Sequence, residues 1–146
     1  MYTEEHVMFR KSLRKMLEKE AYPNFEQWEE ARYIPRSFWQ KLGEQGYLCP
    51  MVGEEYGGLG LDFGYSMILT EELERVGAGL ASGIALLSYI VTPYIEAYGS
   101  KEQKQRWLPK SVTGQYISAI AMTEPGAGSD LAGIQTTAYR NGTIIL

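Results

Sequence analysis

A chain of 146 residues with 45% hydrophobic and 22% charged residues has room for one apolar core, which excludes a disordered, fibrous or large multidomain protein. Its net charge of −4 comes from 14 Lys+Arg against 18 Asp+Glu, and the basic residues are scattered, so no electrostatic footprint for nucleic acid exists. One cysteine, Cys49, and one histidine, His6, exclude a disulfide framework and a Cys/His zinc site; with no apolar signal segment and no run near the ~18 apolar residues of a membrane span, a cytoplasmic protein without a membrane span is expected.

From Thr3 onward, Phe9, Leu13, Met16 and Leu17 recur at helical spacing opposite Arg10, Lys11, Arg14 and Lys15, which predicts an amphipathic helix with Thr3 as N-cap. A second helix is expected to start near Pro35, to carry Phe38, Trp39 and Leu42 inward and to end by Gly46. The run Glu55-Tyr56-Gly57-Gly58-Leu59-Gly60 reads as a loop, because glycine loses the most backbone entropy in a helix. Asp62 can cap a third helix bearing Met67, Ile68, Leu69, Leu73 and Val76. A fourth, strongly apolar helix over 80–93 or somewhat beyond is expected to be buried. Ser100 followed three residues later by Gln103 matches a capping box, opening a short helix that Pro109 limits or kinks.

The period then changes. Residues 116–122 and 136–140 read as strands, and Asn141-Gly142 signals a two-residue hairpin whose returning strand would run over 143–146. A helical module followed by an unfinished sheet is expected to be a fragment of a larger protein. The expected fold class is mainly α, a helical bundle over 1–114 followed by the first strands of an incomplete β domain over 115–146.

Chemistry concentrates in Ala121-Met122-Thr123-Glu124-Pro125-Gly126-Ala127-Gly128-Ser129-Asp130-Leu131-Ala132-Gly133. Its three glycines and Ser-Asp pair let backbone amides converge on an anion such as a phosphate, although a surface connection eased by glycine accounts for the same residues. Leu131 stands where the dinucleotide fingerprint needs glycine, and Ile134 where the P-loop needs lysine, so neither motif is present. Gly57, Gly58 and Gly60 fail the same tests and read as a turn between helices. Glu124 reads as a turn or capping group in preference to a base, and His6 as part of a solvated helix face without a partner nucleophile. Trp28, Trp39 and Trp107 are expected to pack in the core.

The ten residues Ala121-Met122-Thr123-Glu124-Pro125-Gly126-Ala127-Gly128-Ser129-Asp130 resemble the signature of the acyl-CoA dehydrogenase family. The resemblance runs through the chain in order: Met8-Phe9-Arg10, Ile34-Pro35-Arg36 with Phe38-Trp39, Glu54-Glu55-Tyr56-Gly57-Gly58-Leu59-Gly60, Pro93-Tyr94-Ile95 and Tyr98-Gly99-Ser100-Lys101-Glu102-Gln103. It looks most like the long-chain members. The resemblance implies an N-terminal helical domain and the opening of a β middle domain, with FAD and an acyl-CoA thioester held between domains. By position it implies that Ile120, Ala121, Met122 and Thr123 line the flavin, that Gly128 and Ser129 meet the FAD pyrophosphate, and that Ser129 also approaches the acyl-CoA. It implies α,β-dehydrogenation of fatty acyl-CoA thioesters in β-oxidation, an electron-transfer flavoprotein as acceptor and a homotetramer when full-length. No catalytic residue and no metal ligand is expected in this chain, since the family's α-proton base is a glutamate of the C-terminal region; the chain alone is expected to be inactive. A non-catalytic helical interaction module is the competing class, and a flavin oxidase or monooxygenase of the same fold the competing reaction.

Overall fold

The computed structural model describes residues 2–141 and 144–145. Helix α1 (Glu4–Glu20) begins at Thr3, whose hydroxyl accepts the His6 N–H, and Glu4 and Glu5 place negative charge at its positive end. Its Leu13, Met16 and Leu17 face the core. A short helix α2 (Phe25–Ala31) follows; it was not legible in the sequence, because its Asn24 cap makes no side-chain bond and it buries no residue completely. Helix α3 (Arg36–Glu44) starts after Pro35 and buries Phe38, Trp39 and Leu42 as expected.

The glycine run after α3 forms a single 3₁₀ turn over Glu54–Tyr56, with Gly57 and Gly60 at positive φ. Asp62 then caps α4 (Phe63–Glu74) by accepting the Gly64 N–H at 2.7 Å. Helix α4 packs along α1, joined by an ion cluster. The buried Glu72 accepts from Arg14 Nε and Arg14 Nη2, both at 2.7 Å, and from Arg10 Nη1 at 3.0 Å.

Residues Ala78–Tyr98 form one 21-residue helical run: α5 (Ala78–Ala85), a π-helical segment (Leu86–Val91) and α6 (Thr92–Tyr98). Two expectations about it are corrected. With a mean hydropathy of 1.5 over 18 of its residues, the run is long and apolar enough to cross a membrane by length and composition, because its Leu, Ile, Val and Ala outweigh the Gly, Ser, Thr and Tyr that interrupt them. It is also not buried throughout. Leu80, Ala81, Ile84 and Leu87 enter the core, whereas Ile90, Tyr94 and Tyr98 are exposed.

Helix α7 (Lys101–Val112) opens with the expected capping box between Ser100 and Gln103. Pro109 does not end it: the helix continues one turn, and the hydroxyls of Ser111 and Thr113 turn back onto the Trp107 and Pro109 carbonyls. The core gathers side chains of α1, α3, α4, α5 and α7 together with Tyr47, Leu48 and Cys49 of the α3–α4 connection. Trp39 is buried and Trp28 packs on Phe38 with ring centroids 4.8 Å apart. Trp107 is only half-buried, on a cleft wall.

The expected strand over 116–122 is not formed. The segment has no neighbouring strand among the described residues, so its backbone is left without a ladder, and only the Tyr116 N–H bonds back to the Lys110 carbonyl. The expected strand over 136–140 shrinks to β1 (Arg140–Asn141), antiparallel to β2 (Ile144–Ile145) with Arg140 opposite Ile145 and Asn141 opposite Ile144. Asn141 pairs in the ladder, and the Gly142 half of the expected turn lies outside the described residues, as do Thr143 and Leu146 of the expected returning strand.

Candidate functional site

The signature segment leaves α7 through Gly114 at positive φ, where a Cβ would lie 2.6 Å from the Trp39 carbonyl carbon. From Ile117 to Thr123 the backbone makes no hydrogen bond with any other described residue. Ile120 and Met122 are exposed, and so are Ala121 and Thr123. The four residues expected against a flavin therefore form one strip of chain with amides and carbonyls unbonded among the described residues and with exposed side chains. Such a strip suits an in-plane polar and apolar ligand such as a flavin ring, whose edge requires donors and acceptors. Behind the strip, Ala119 and Ile120 join Tyr94, Tyr98 and Trp107 around a cleft of about 330 Å³.

At Glu124 the chain reverses. The Glu124 N–H donates to the Ala127 carbonyl and the Ala127 N–H to the Glu124 carbonyl, both at 3.0 Å, closing a turn over Pro125-Gly126 that buries Ala127. A 3₁₀ turn over Leu131–Gly133 follows, with the Gly133 N–H on the Asp130 carbonyl at 3.1 Å. Between these turns Gly128 and Ser129 are exposed, and the N–H groups of Gly128, Ser129 and Asp130 have no acceptor among the described residues. A Cβ added at Gly126 or Gly128 would meet nothing within 4 Å. The amides of Gly128 and Ser129 are therefore approachable by a bulky anion, and the Ser129 hydroxyl adds a donor. This donor set fits a diphosphate without a lysine.

Glu124 does something the sequence did not specify. Its carboxylate accepts the Gln135 N–H at 2.5 Å, the Thr136 N–H at 3.0 Å and the Thr136 hydroxyl, and those donors hold it below the usual carboxylate range. It acts as a loop tie, in line with the capping expectation, and is too well satisfied to serve as a base near neutral pH.

His6 is corrected. It is buried at 6% exposure, against the solvated face expected for it, and its Nδ1 accepts the Thr3 N–H at 3.2 Å while Nε2 lies 3.1 Å from Asp62 Oδ1. The imidazole thus closes the α1 capping box in the place of Glu or Gln and ties it to the α4 cap. Only the 56-residue separation from Asp62 hid this. The described residues hold no group of His, Cys, Asp and Glu placed to bind a metal.

The model of the family "Acyl-CoA dehydrogenase, N-terminal domain" matches residues 3–115. The long-chain specific acyl-CoA dehydrogenase, mitochondrial, of Rattus norvegicus is 43% identical over 143 residues, covering 98% of this chain and 33% of that protein. A crystal structure of an acyl-CoA dehydrogenase from Geobacillus kaustophilus superposes with a TM-score of 0.92 at 63% identity, covering 97% of this chain and 37% of that one. An acyl-CoA dehydrogenase from Bacillus anthracis solved in complex with FAD gives a TM-score of 0.87 at 36% identity, covering 94% and 24%. This chain spans about a third of the length of the long-chain relatives it matches. Since the family model covers more than two thirds of the chain and the fold superposes on a solved member at 63% identity, the chain belongs to the acyl-CoA dehydrogenase family.

Proposed function

We propose that this chain supplies one wall of the FAD and substrate site of an acyl-CoA dehydrogenase that oxidises fatty acyl-CoA thioesters between their α and β carbons, as in β-oxidation. The observation that carries the reading is the pairing of an extended strip with unspent backbone groups, Ile120 to Thr123, with a turn that leaves the Gly128 and Ser129 amides open. FAD, when bound, supplies the hydride acceptor. The strip presents backbone donors and acceptors and the Thr123 hydroxyl to the ring, while Gly128 and Ser129 stabilise the pyrophosphate and Ser129 also reaches the acyl-CoA. The helical part over 1–114 acts as the support and the segment 115–146 as the start of a β domain. In this reading the whole enzyme is a cytoplasmic homotetramer that passes electrons to an electron-transfer flavoprotein. The single buried, unpaired Cys49 supports a reducing setting. Glu124, held by three donors, is not free to take the α-proton; in this reading the base is supplied from outside this chain, and the chain alone is inactive.

The test joins this chain to the C-terminal two-thirds of the 63%-identical Geobacillus kaustophilus relative. Ser129→Ala in that protein should weaken both FAD retention and acyl-CoA affinity by about tenfold, the loss of one charge-assisted hydrogen bond. Thr123→Val should shift the flavin potential while leaving the melting point unchanged. Unaltered FAD and acyl-CoA affinities in Ser129→Ala remove Ser129 from the site.

A further inference from the structure

The Glu124 carboxylate ties the two ends of the signature loop together. All three of its acceptor contacts go to Gln135 and Thr136, eleven and twelve residues away, while its own backbone N–H and carbonyl are engaged with Ala127. One residue thus fixes both the tight turn and the mouth of the loop. Between those anchors most side chains are exposed, the apolar Leu131 and Ile134 included, and Ala127 is the one buried among the described residues. The loop therefore has little apolar burial to hold its shape, and without the carboxylate the free amides of Gly128 and Ser129 would sample many orientations.

We infer that Glu124 is a positioning residue: by tying Gln135 and Thr136 to the Pro125-Gly126 turn it presets the Gly128 and Ser129 amides for a diphosphate. The inference rests on the diphosphate reading of those two residues. Glutamate suits the task because its two oxygens accept on both sides, as three donors converging on one point require; a glutamine turns an NH2 group toward one of them, and an aspartate is one methylene too short to span the loop.

The test uses the 146-residue chain, uniformly ¹⁵N-labelled, with inorganic pyrophosphate as probe. In the parent, the Gln135 and Thr136 amides should exchange slowly and the Gly128 and Ser129 amide signals should move on titration. In Glu124→Gln and in Glu124→Asp, exchange at Gln135 and Thr136 should quicken and pyrophosphate affinity should fall, each by about tenfold, while the amides of α1, α4 and α7 keep their shifts. Unchanged exchange at Gln135 and Thr136 in both variants disproves the tie. Faster exchange with undiminished pyrophosphate affinity shows that the tie does not position the site. If the parent exchanges slowly at Gln135 and Thr136 but its Gly128 and Ser129 signals ignore pyrophosphate, the diphosphate reading fails and the inference with it, leaving the tie as a structural feature alone.

Discussion

Glu72 carries a buried charge that joins α4 to α1. It is 1% exposed and balanced by the forked contact from Arg14 and a further bond from Arg10, so its carboxylate lies below the usual range, chiefly because of the Arg14 hydrogen bonds. Glu72→Gln removes the charge that the two guanidiniums share, and because Arg14 is 43% exposed and Arg10 keeps Glu71, it should cost about 1–2 kcal/mol in urea unfolding. The sign of the pH dependence follows from the lowered value. Ionised Glu72 contributes stability above the ordinary carboxylate range, and the contribution fades as pH falls through its lowered folded value. Urea midpoints measured from pH 7 down to pH 3 should therefore fall more steeply for the parent than for Glu72→Gln; parallel curves would show that the pair is not linked to folding. His6 acts more locally. His6→Ala removes one acceptor from the α1 cap and the link to Asp62, and should cost about 1–2 kcal/mol, with the amides of Thr3 and Gly64 exchanging faster than those of α3.

Between elements, α3 comes into close backbone approach with the end of α7. A Cβ on Gly43 would stand 2.5 Å from the Thr113 carbonyl carbon and 2.6 Å from the Val112 oxygen, backbone atoms that cannot swing aside. Gly43→Ala gains helix propensity locally yet should destabilise the protein by about 1–3 kcal/mol through forced separation of the two helices. A melting temperature equal to or above the parent's would show that the helices can part at no cost. This contact also aims the signature segment, since Gly114 follows directly and is pressed against the Trp39 and Gln40 backbone. The π-helical segment is the other irregular joint. Its wider turn lets Leu87 and Ser88 stay buried while Ile90, in the same segment, is exposed, and the Ser88 hydroxyl accepts the Cys49 N–H at 3.1 Å.

At the scale of the whole molecule the apolar surface is unevenly spent. Ile90, Tyr94 and Tyr98, four residues apart in turn, line an exposed stripe, and Tyr116, Ile117, Ile120 and Met122 are exposed on the segment that crosses the neighbouring clefts. Exposed aromatic and aliphatic residues gathered on one side of a domain favour association. The 146-residue chain should self-associate in light scattering as its concentration rises, and the double substitution Ile90→Glu with Tyr94→Glu should return it to a monomer without loss of helix content, since both side chains lie outside the core. A parent that stays monomeric at millimolar concentration would show that the stripe is adequately solvated.

What the sequence determined by itself is what depends on near neighbours. Thr3, Asp62 and Ser100 mark three helix starts because a cap is a contact within three residues, and the apolar spacing of Leu13, Met16 and Leu17 fixes an inward face because the helix period is set by the backbone. The signature loop was legible for the same reason, as glycines and a Ser-Asp pair in one short stretch. Tertiary structure alone decided what depends on distant partners. The segment over 116–122 has the composition of a strand, but a strand exists only against another, and none lies beside it among the described residues. His6 read as solvated until Asp62 and Tyr65, far along the chain, closed over it, with the Tyr65 ring 4.1 Å away. Glu124 read as a capping group within its own turn. Which amides it would hold was settled only when the chain brought Gln135 and Thr136 back to it, because a carboxylate's partners are chosen by geometry and not by its place in the sequence.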